Sequence, residues 1–237
     1  MTVMGEIILY AFVAGITIFF GAAIARIFER CCNVIIESYV VHFTIAFGGG
    51  ILIAAVAFVL TPKGIEAFTI PVFTGIFLSG ALCFFLLDRY IEKKGGLLAQ
   101  TMAMLMDFIP ESIALGAVFA HDHAMGILLA FFIGFQNIPE AFNAYFDLRK
   151  GGHEPRRILL IFLGLSFLGV FAALAGAFLL TNKETYTSAI MLFAGGGILY
   201  LIFQDIAPSS RMHRRWEPAL GANLGFLIGM IGIKLFG

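Results

Sequence analysis

Eight apolar stretches, at about 7–27, 41–61, 67–90, 98–120, 124–147, 157–181, 187–207 and 217–236, leave this chain little to become except a bundle of membrane helices. Each is near the ~20 residues that carry an α-helix across a hydrocarbon core about 30 Å thick. The connections between them are short. No soluble domain fits in those loops, so residues 1–237 read as a single transmembrane domain of all-α class. Charged residues make up only 13% of the chain, well below the roughly 25% of a soluble domain.

The first stretch is read as a retained helix and not as a signal peptide. It carries Glu6 where a basic leader would stand, and it ends at Arg26 without a small-residue cleavage site. Cys31, Cys32 and Cys83 have neither the spacing of a metal knuckle nor that of a disulfide framework. The loops after helices 1, 3, 5 and 7 hold twelve basic residues, among them Arg30, Lys93, Lys94, Arg156 and Arg215, while the other side holds Lys63, Lys183 and Lys234. By the positive-inside rule those four loops face the cytoplasm and both termini lie outside, in the plasma (cytoplasmic) membrane. Topology accounts for the basic clusters, so nucleic acid is not expected as a partner. The bilayer is.

Two motifs occur twice. Gly48-Gly49-Gly50-Ile51-Leu52 in helix 2 is followed by Pro62, and Gly195-Gly196-Gly197-Ile198-Leu199 in helix 7 is followed by Pro208. Ile109-Pro110-Glu111 in helix 4 is matched by Ile138-Pro139-Glu140 in helix 5. Helices 2 and 7 run in opposite directions, as do helices 4 and 5. Matched motifs in oppositely directed helices predict inverted repeats, helices 1–3 against 6–8 and helix 4 against 5, with a substrate site at their interface near the midplane.

The duplicated Pro-Glu elements are costly in a membrane. An acidic residue at the centre of a spanning helix costs about 2.5–3.5 kcal/mol on insertion scales, and each proline frees the carbonyl four residues earlier, here Met106 and Phe135. Asp107 and Glu111 share one face of helix 4; Gln136 and Glu140 share one face of helix 5, with Asn137 beside them. Carboxylates gathered in low dielectric repel unless they bind protons or a cation, so this cluster predicts a site for a divalent cation, a proton, or each in turn. Two close carboxylates can also serve as acid and base in an intramembrane hydrolase, and a metal-binding membrane protein without flux is the other alternative. Neither a Gly-x-Gly-Asp element nor a His-Glu-x-x-His helix is present to support an enzyme.

Asp107-Phe108-Ile109-Pro110-Glu111-Ser112 and Gln136-Asn137-Ile138-Pro139-Glu140-Ala141, in an eight-helix chain with both termini outside, resemble the ZIP family of divalent-metal transporters across essentially the whole chain. The resemblance implies transport of a metal ion into the cytoplasm by a homodimer, with no cofactor and no catalysis. It places Asp107, Glu111, Gln136 and Glu140 in the transport site, with Gln204-Asp205 before Pro208 as a release site. It also marks departures. Phe108 stands where relatives carry an asparagine that supports a second metal, and helix 6 has no Asp or Glu between Ile158 and Leu180. One central ion is therefore expected. Oxygen donors in place of imidazole favour harder cations, which gives the order manganese or iron, then zinc, then magnesium. His121-Asp122-His123, in the outward turn between helices 4 and 5, is a candidate entrance for the metal.

Overall fold

A computed structural model describes residues 2–93, 95–119, 121–180 and 183–236. Lys94 of the basic loops, and positions 120 and 181 where helices 4 and 6 were expected to end, lie outside the described residues. Eight helices are long and apolar enough to cross a membrane: α1 (Val3–Cys31), α2 (Ile35–Ala67), α3 (Ile70–Glu92), α4 (Thr101–Phe119), α5 (His123–Lys150), α6 (Pro155–Leu180), α7 (Glu184–Ser210) and α8 (Glu217–Phe236). No strand occurs among the described residues. The chain is an all-α, multi-pass integral membrane protein, the architecture that satisfies every backbone group within its own segment where water is absent.

Short polar caps set the helix starts. Thr2 Oγ1 accepts from the Gly5 N–H at 3.3 Å, Asn33 Oδ1 from Ile36 at 3.0 Å and Asp122 Oδ1 from Met125 at 3.0 Å, each satisfying a donor that the first turn leaves open. The Asn33 cap draws the start of α2 well ahead of the expected residue 41. At the far end of α5, Gly152 turns the chain with φ of 82°, a left-handed conformation that other residues resist.

Helices α2 and α7 differ from expectation in the same way. Neither stops at its proline. Each widens into a π turn, Val56–Leu60 or Ile202–Ile206, and then runs on through Pro62–Ala67 or Ala207–Ser210. In α2 the Thr61 N–H and hydroxyl both reach the Val56 carbonyl, at 3.1 and 2.8 Å, before Pro62 restarts the helix at a position that needs no donor. In α7 the Ala207 N–H makes the matching bond to Ile202.

The packing partners form a matched set. Helix α1 packs on α5 and α6, α4 on α5 and α6, α2 on α8 and α5, and α7 on α3 and α4. Exchanging helices 1–3 with 6–8 and helix 4 with 5 maps these pairings onto themselves. The glycine triplets make two of them possible: a methyl at Gly50 would fall 2.0 Å from the Ala222 carbonyl oxygen on α8, and one at Gly196 2.1 Å from that of Phe77 on α3. Helices α2, α4 and α5 are the most enclosed of the set, and α5 touches α1, α2 and α4. Helix α3 lies outermost and exposes Ile70, Leu78, Leu82 and Leu86, the kind of surface a bilayer covers.

Candidate functional site

Pro110 and Pro139 sit inside α4 and α5 without ending either helix. The four-residue spacing places Asp107 above Glu111 and Gln136 above Glu140, one polar face on each helix. The two faces meet where the helices pack. Gln136 Nε2 donates to the Glu111 carboxylate across the interface, and Asp107 Oδ1 accepts the Phe108 N–H at 2.8 Å. Asp107, Glu111 and Gln136 are buried; Glu140 is half-buried. Once its amide nitrogen is committed to Glu111, Gln136 is left with Oε1 buried and without a donor among the described residues. A buried acceptor in that state is unfavourable until something positive or protic reaches it.

Gln136 borders a cavity of about 320 Å³. Asp107, Gln136 and Glu140 line its inner end, Asn143 and Asp147 continue along α5, and Asp205 and Ser209 face them from α7. No Lys, Arg or His is among its described lining residues. The cavity leads to the end of the bundle where α5 and α7 finish, which is the end of the basic loops. In the opposite direction, Leu115 and Val118 of α4, Val59 and Leu60 of α2 and Met191 and Leu192 of α7 are buried. Asp107, Glu111 and Glu140 lie near enough to repel one another. Water is scarce there, so the repulsion is offset only by protons or a cation. Among the described residues no three His, Cys, Asp or Glu side chains converge on one metal-sized point. The donor set turned to the inner cavity is therefore two carboxylates, Asp107 and Glu140, and the amide oxygen of Gln136, with Glu111 one step behind holding that amide.

The structure separates several of the other expected site residues. Asn137 turns away from the cavity: its Nδ2 donates to the Ala14 carbonyl of α1 at 3.1 Å, and the residue is buried there. Gln204 and Asp205 part because adjacent helical residues point about 100° apart. Asp205 lines the cavity, whereas Gln204 lines an outer groove with Phe77, Tyr200 and Phe203. The entrance triplet divides too. His121 and Asp122 border a separate recess of about 280 Å³ with Lys63 and Glu184, while His123 Nδ1 stands 3.5 Å from Glu6 and its ring lies against Phe119. Asp122 is already engaged by Lys63 at 2.9 Å. Burial pushes its carboxyl upward, but the Lys63 hydrogen bond, the Met125 N–H and the Lys63 charge outweigh this and hold it below the usual range.

Phe108 is only 1% exposed. Its ring lies against Gly169 of α6, where a methyl would fall 2.4 Å from Cζ, and reaches toward Gly15 of α1. The aromatic ring thus fills the space between α4, α6 and α1 and offers no ligating atom next to Asp107 in the chain. Asn143, Asp147 and Ser209 are the lining residues that sequence reasoning missed. A signal for two of them was present, since Gln136, Glu140, Asn143 and Asp147 recur at helical spacing.

Fold and site together define an integral membrane protein of eight helices with an acidic cavity reaching from its interior to one end. No family model matches the chain. It is 30% identical over 143 residues to the zinc transporter GufA of Myxococcus xanthus, an alignment that covers 59% of this chain and 56% of that protein. The chain thus matches little more than half the length of this curated relative. The similarity supports a divergent ZIP-family member, the family that the two Pro-Glu elements resemble.

Proposed function

We propose that this chain is a divergent ZIP-family transporter that moves a divalent transition metal into the cytoplasm through a site held by Asp107, Gln136 and Glu140, with Glu111 orienting Gln136. The observation that carries the reading is the charge of the cavity: carboxylates along its length, an unpartnered amide oxygen at its inner end, and no basic group among its described lining residues. Such a passage attracts cations and repels anions. The basic loops at its open end support a cytoplasmic position for that end by the positive-inside rule, and with it an inward-facing form in the plasma membrane. The paired motifs, the twin π turns and the self-mapping set of helix contacts support inverted repeats, with the ion at their interface.

Oxygen donors favour manganese and iron, and the similarity to a zinc transporter supports zinc beside them, ahead of magnesium. Proteoliposomes loaded with a metal-sensitive dye test the reading. Entry of Mn2+ or Zn2+ that depends on the protein supports it, and metal binding without entry rejects it.

A further inference from the structure

Four polar side chains form one stripe along α5. Gln136, Glu140, Asn143 and Asp147 fall at i, i+4, i+7 and i+11, and all four line the cavity. At 1.5 Å of rise per residue the stripe covers about 16 Å, roughly half of a ~30 Å hydrocarbon core. It therefore reaches from the inner site to the open end. Three of its members are already accounted for: Gln136 and Glu140 belong to the inner site, and Asp147 stands exposed at the mouth. Asn143 is not. Its Oδ1 is buried and has no hydrogen-bond partner among the described residues, yet the residue borders the cavity. The residue is half-buried at the cavity wall, so a turn of its amide about χ2 carries an oxygen with no bond to lose into the acidic passage, where a cation or its water can take it.

We propose that Asn143 is a coordinating and specificity-determining residue of the exit path, binding the partly hydrated divalent cation between Glu140 and the Asp147–Asp205 mouth. This rests on the transport reading of the same cavity. The spacing supplies the reason for the position. Without Asn143 the ion would cross about 10 Å along the helix from Glu140 to Asp147 with no donor on α5. The chemistry supplies the reason for the residue type. Neutral oxygen binds a hard cation weakly enough to let it go, whereas a further carboxylate one turn from Glu140 would deepen the well and hold it. The opposite wall at this depth, Ile198 and Leu201 of α7 and Leu52 of α2, offers no side-chain donor, so Asn143 acts there from one side.

The test compares Asn143→Leu, which keeps the volume and removes the oxygen, with Asn143→Asp, which keeps the oxygen and adds charge. Uptake of Mn2+ into proteoliposomes gives maximal flux and KM; equilibrium binding of 54Mn2+ to the detergent-purified protein reports the inner site; Glu140→Gln is the control. Asn143→Leu is expected to lower maximal flux about tenfold, equivalent to about 1.4 kcal/mol, with binding at the inner site within twofold of wild type. Asn143→Asp is expected to lower KM at least threefold and to release the ion more slowly. Wild-type flux in Asn143→Leu overturns the proposal. So does equal slowing of both variants with an unchanged KM in Asn143→Asp, which would mark a packing role. Should Asn143→Leu not reach the membrane, the KM of Asn143→Asp decides alone, and an unchanged value overturns the proposal. If the wild-type protein binds Mn2+ without admitting it, the transport reading itself has failed, and if Glu140→Gln binds and transports Mn2+ as wild type does, the inner site has; both results are distinct from all of these.

Discussion

Replacing Glu140 with Gln is the most direct probe of the inner site, because it removes one charge and almost no volume. Two unit charges 4 Å apart interact by about 4 kcal/mol at an effective dielectric constant of 20, so a dication and a carboxylate at that distance gain about 8 kcal/mol before desolvation. Much of this is spent stripping water from both partners, and a net contribution of about 2–3 kcal/mol remains as the working figure. That corresponds to a loss of roughly 30- to 150-fold in affinity. Folding should not suffer. Glu140 lies close enough to Asp107 and Glu111 for their charges to interact, so a neutral amide there removes a charge that the neighbouring carboxyls oppose. The assay is initial Mn2+ or Zn2+ uptake into proteoliposomes across a range of metal concentrations, with size-exclusion chromatography confirming an intact protein. Uptake by Glu140→Gln that matches wild type at metal concentrations below the wild-type KM would refute the electrostatic argument and the inner site with it.

Three further outcomes are expected. Asp107→His places a nitrogen donor in the inner cavity, so the Zn2+ to Mn2+ uptake ratio under identical gradients should rise about tenfold or more; an unchanged ratio means that Asp107 does not meet the ion. Crystals soaked in Mn2+ should show one anomalous peak between Asp107, Gln136 and Glu140, because Phe108 offers no ligating atom and α6 no carboxylate between Ile158 and Leu180; two peaks about 4 Å apart, as in binuclear centres, would contradict this. The Lys63–Asp122 pair should persist throughout the physiological pH range. Asp122 titrates below the usual carboxylate value, so the stability it contributes is complete above the ordinary value of about 3.9 and is lost only as pH falls through its lowered one. The pair is partly exposed and worth at most about 1 kcal/mol. Labelling of Thr187→Cys in the adjoining recess by an impermeant maleimide should therefore be flat from pH 5 to 8, and should rise no more than about fivefold in Asp122→Asn. A steep change between pH 5 and 8 would show that a different group governs that face.

Much of this architecture is legible in the sequence because the bilayer enforces it. Apolar length dictates the eight helices, and the four-residue spacing of Asp107 with Glu111 and of Gln136 with Glu140 dictates shared faces. What the sequence conceals is rotation and local winding. Nothing in Gln204-Asp205 says which of two neighbours faces inward; the packing of α7 against α3 and α2 decides it. The π turns are hidden for a similar reason, since a proline alone reads as a stop signal and only the Thr61 hydroxyl and the tertiary contacts of the next turn let α2 continue. Likewise His121 and His123 lie two apart, so on a helix start they diverge and cannot be gathered with Asp122 around one ion.

Adjacent Gln136 and Asn137 show how the cavity acquires its chemistry. Both are amides, both are 1% exposed, and either would be costly to bury without partners. Asn137 gives its N–H to the Ala14 carbonyl and so fastens α5 to α1, a pairing reinforced near the helix ends where Glu29 accepts from the Tyr145 hydroxyl at 2.5 Å and from Arg149 at 2.6 Å. Gln136 gives its N–H to Glu111 and keeps Oε1 open. On the side of α5 turned to α1 the named polar groups are thus paired within the protein. On the cavity side, where α5 meets α2 through Gly48 beside Pro139, oxygens remain unpaired. Bonds on the first side hold the helix rigid, and that rigidity keeps the oxygens on the second from collapsing onto one another or onto the backbone. The open valence that attracts a cation is thereby a property of the whole helix pair, and loosening the Tyr145–Glu29 contact would weaken the inner site from about two turns away.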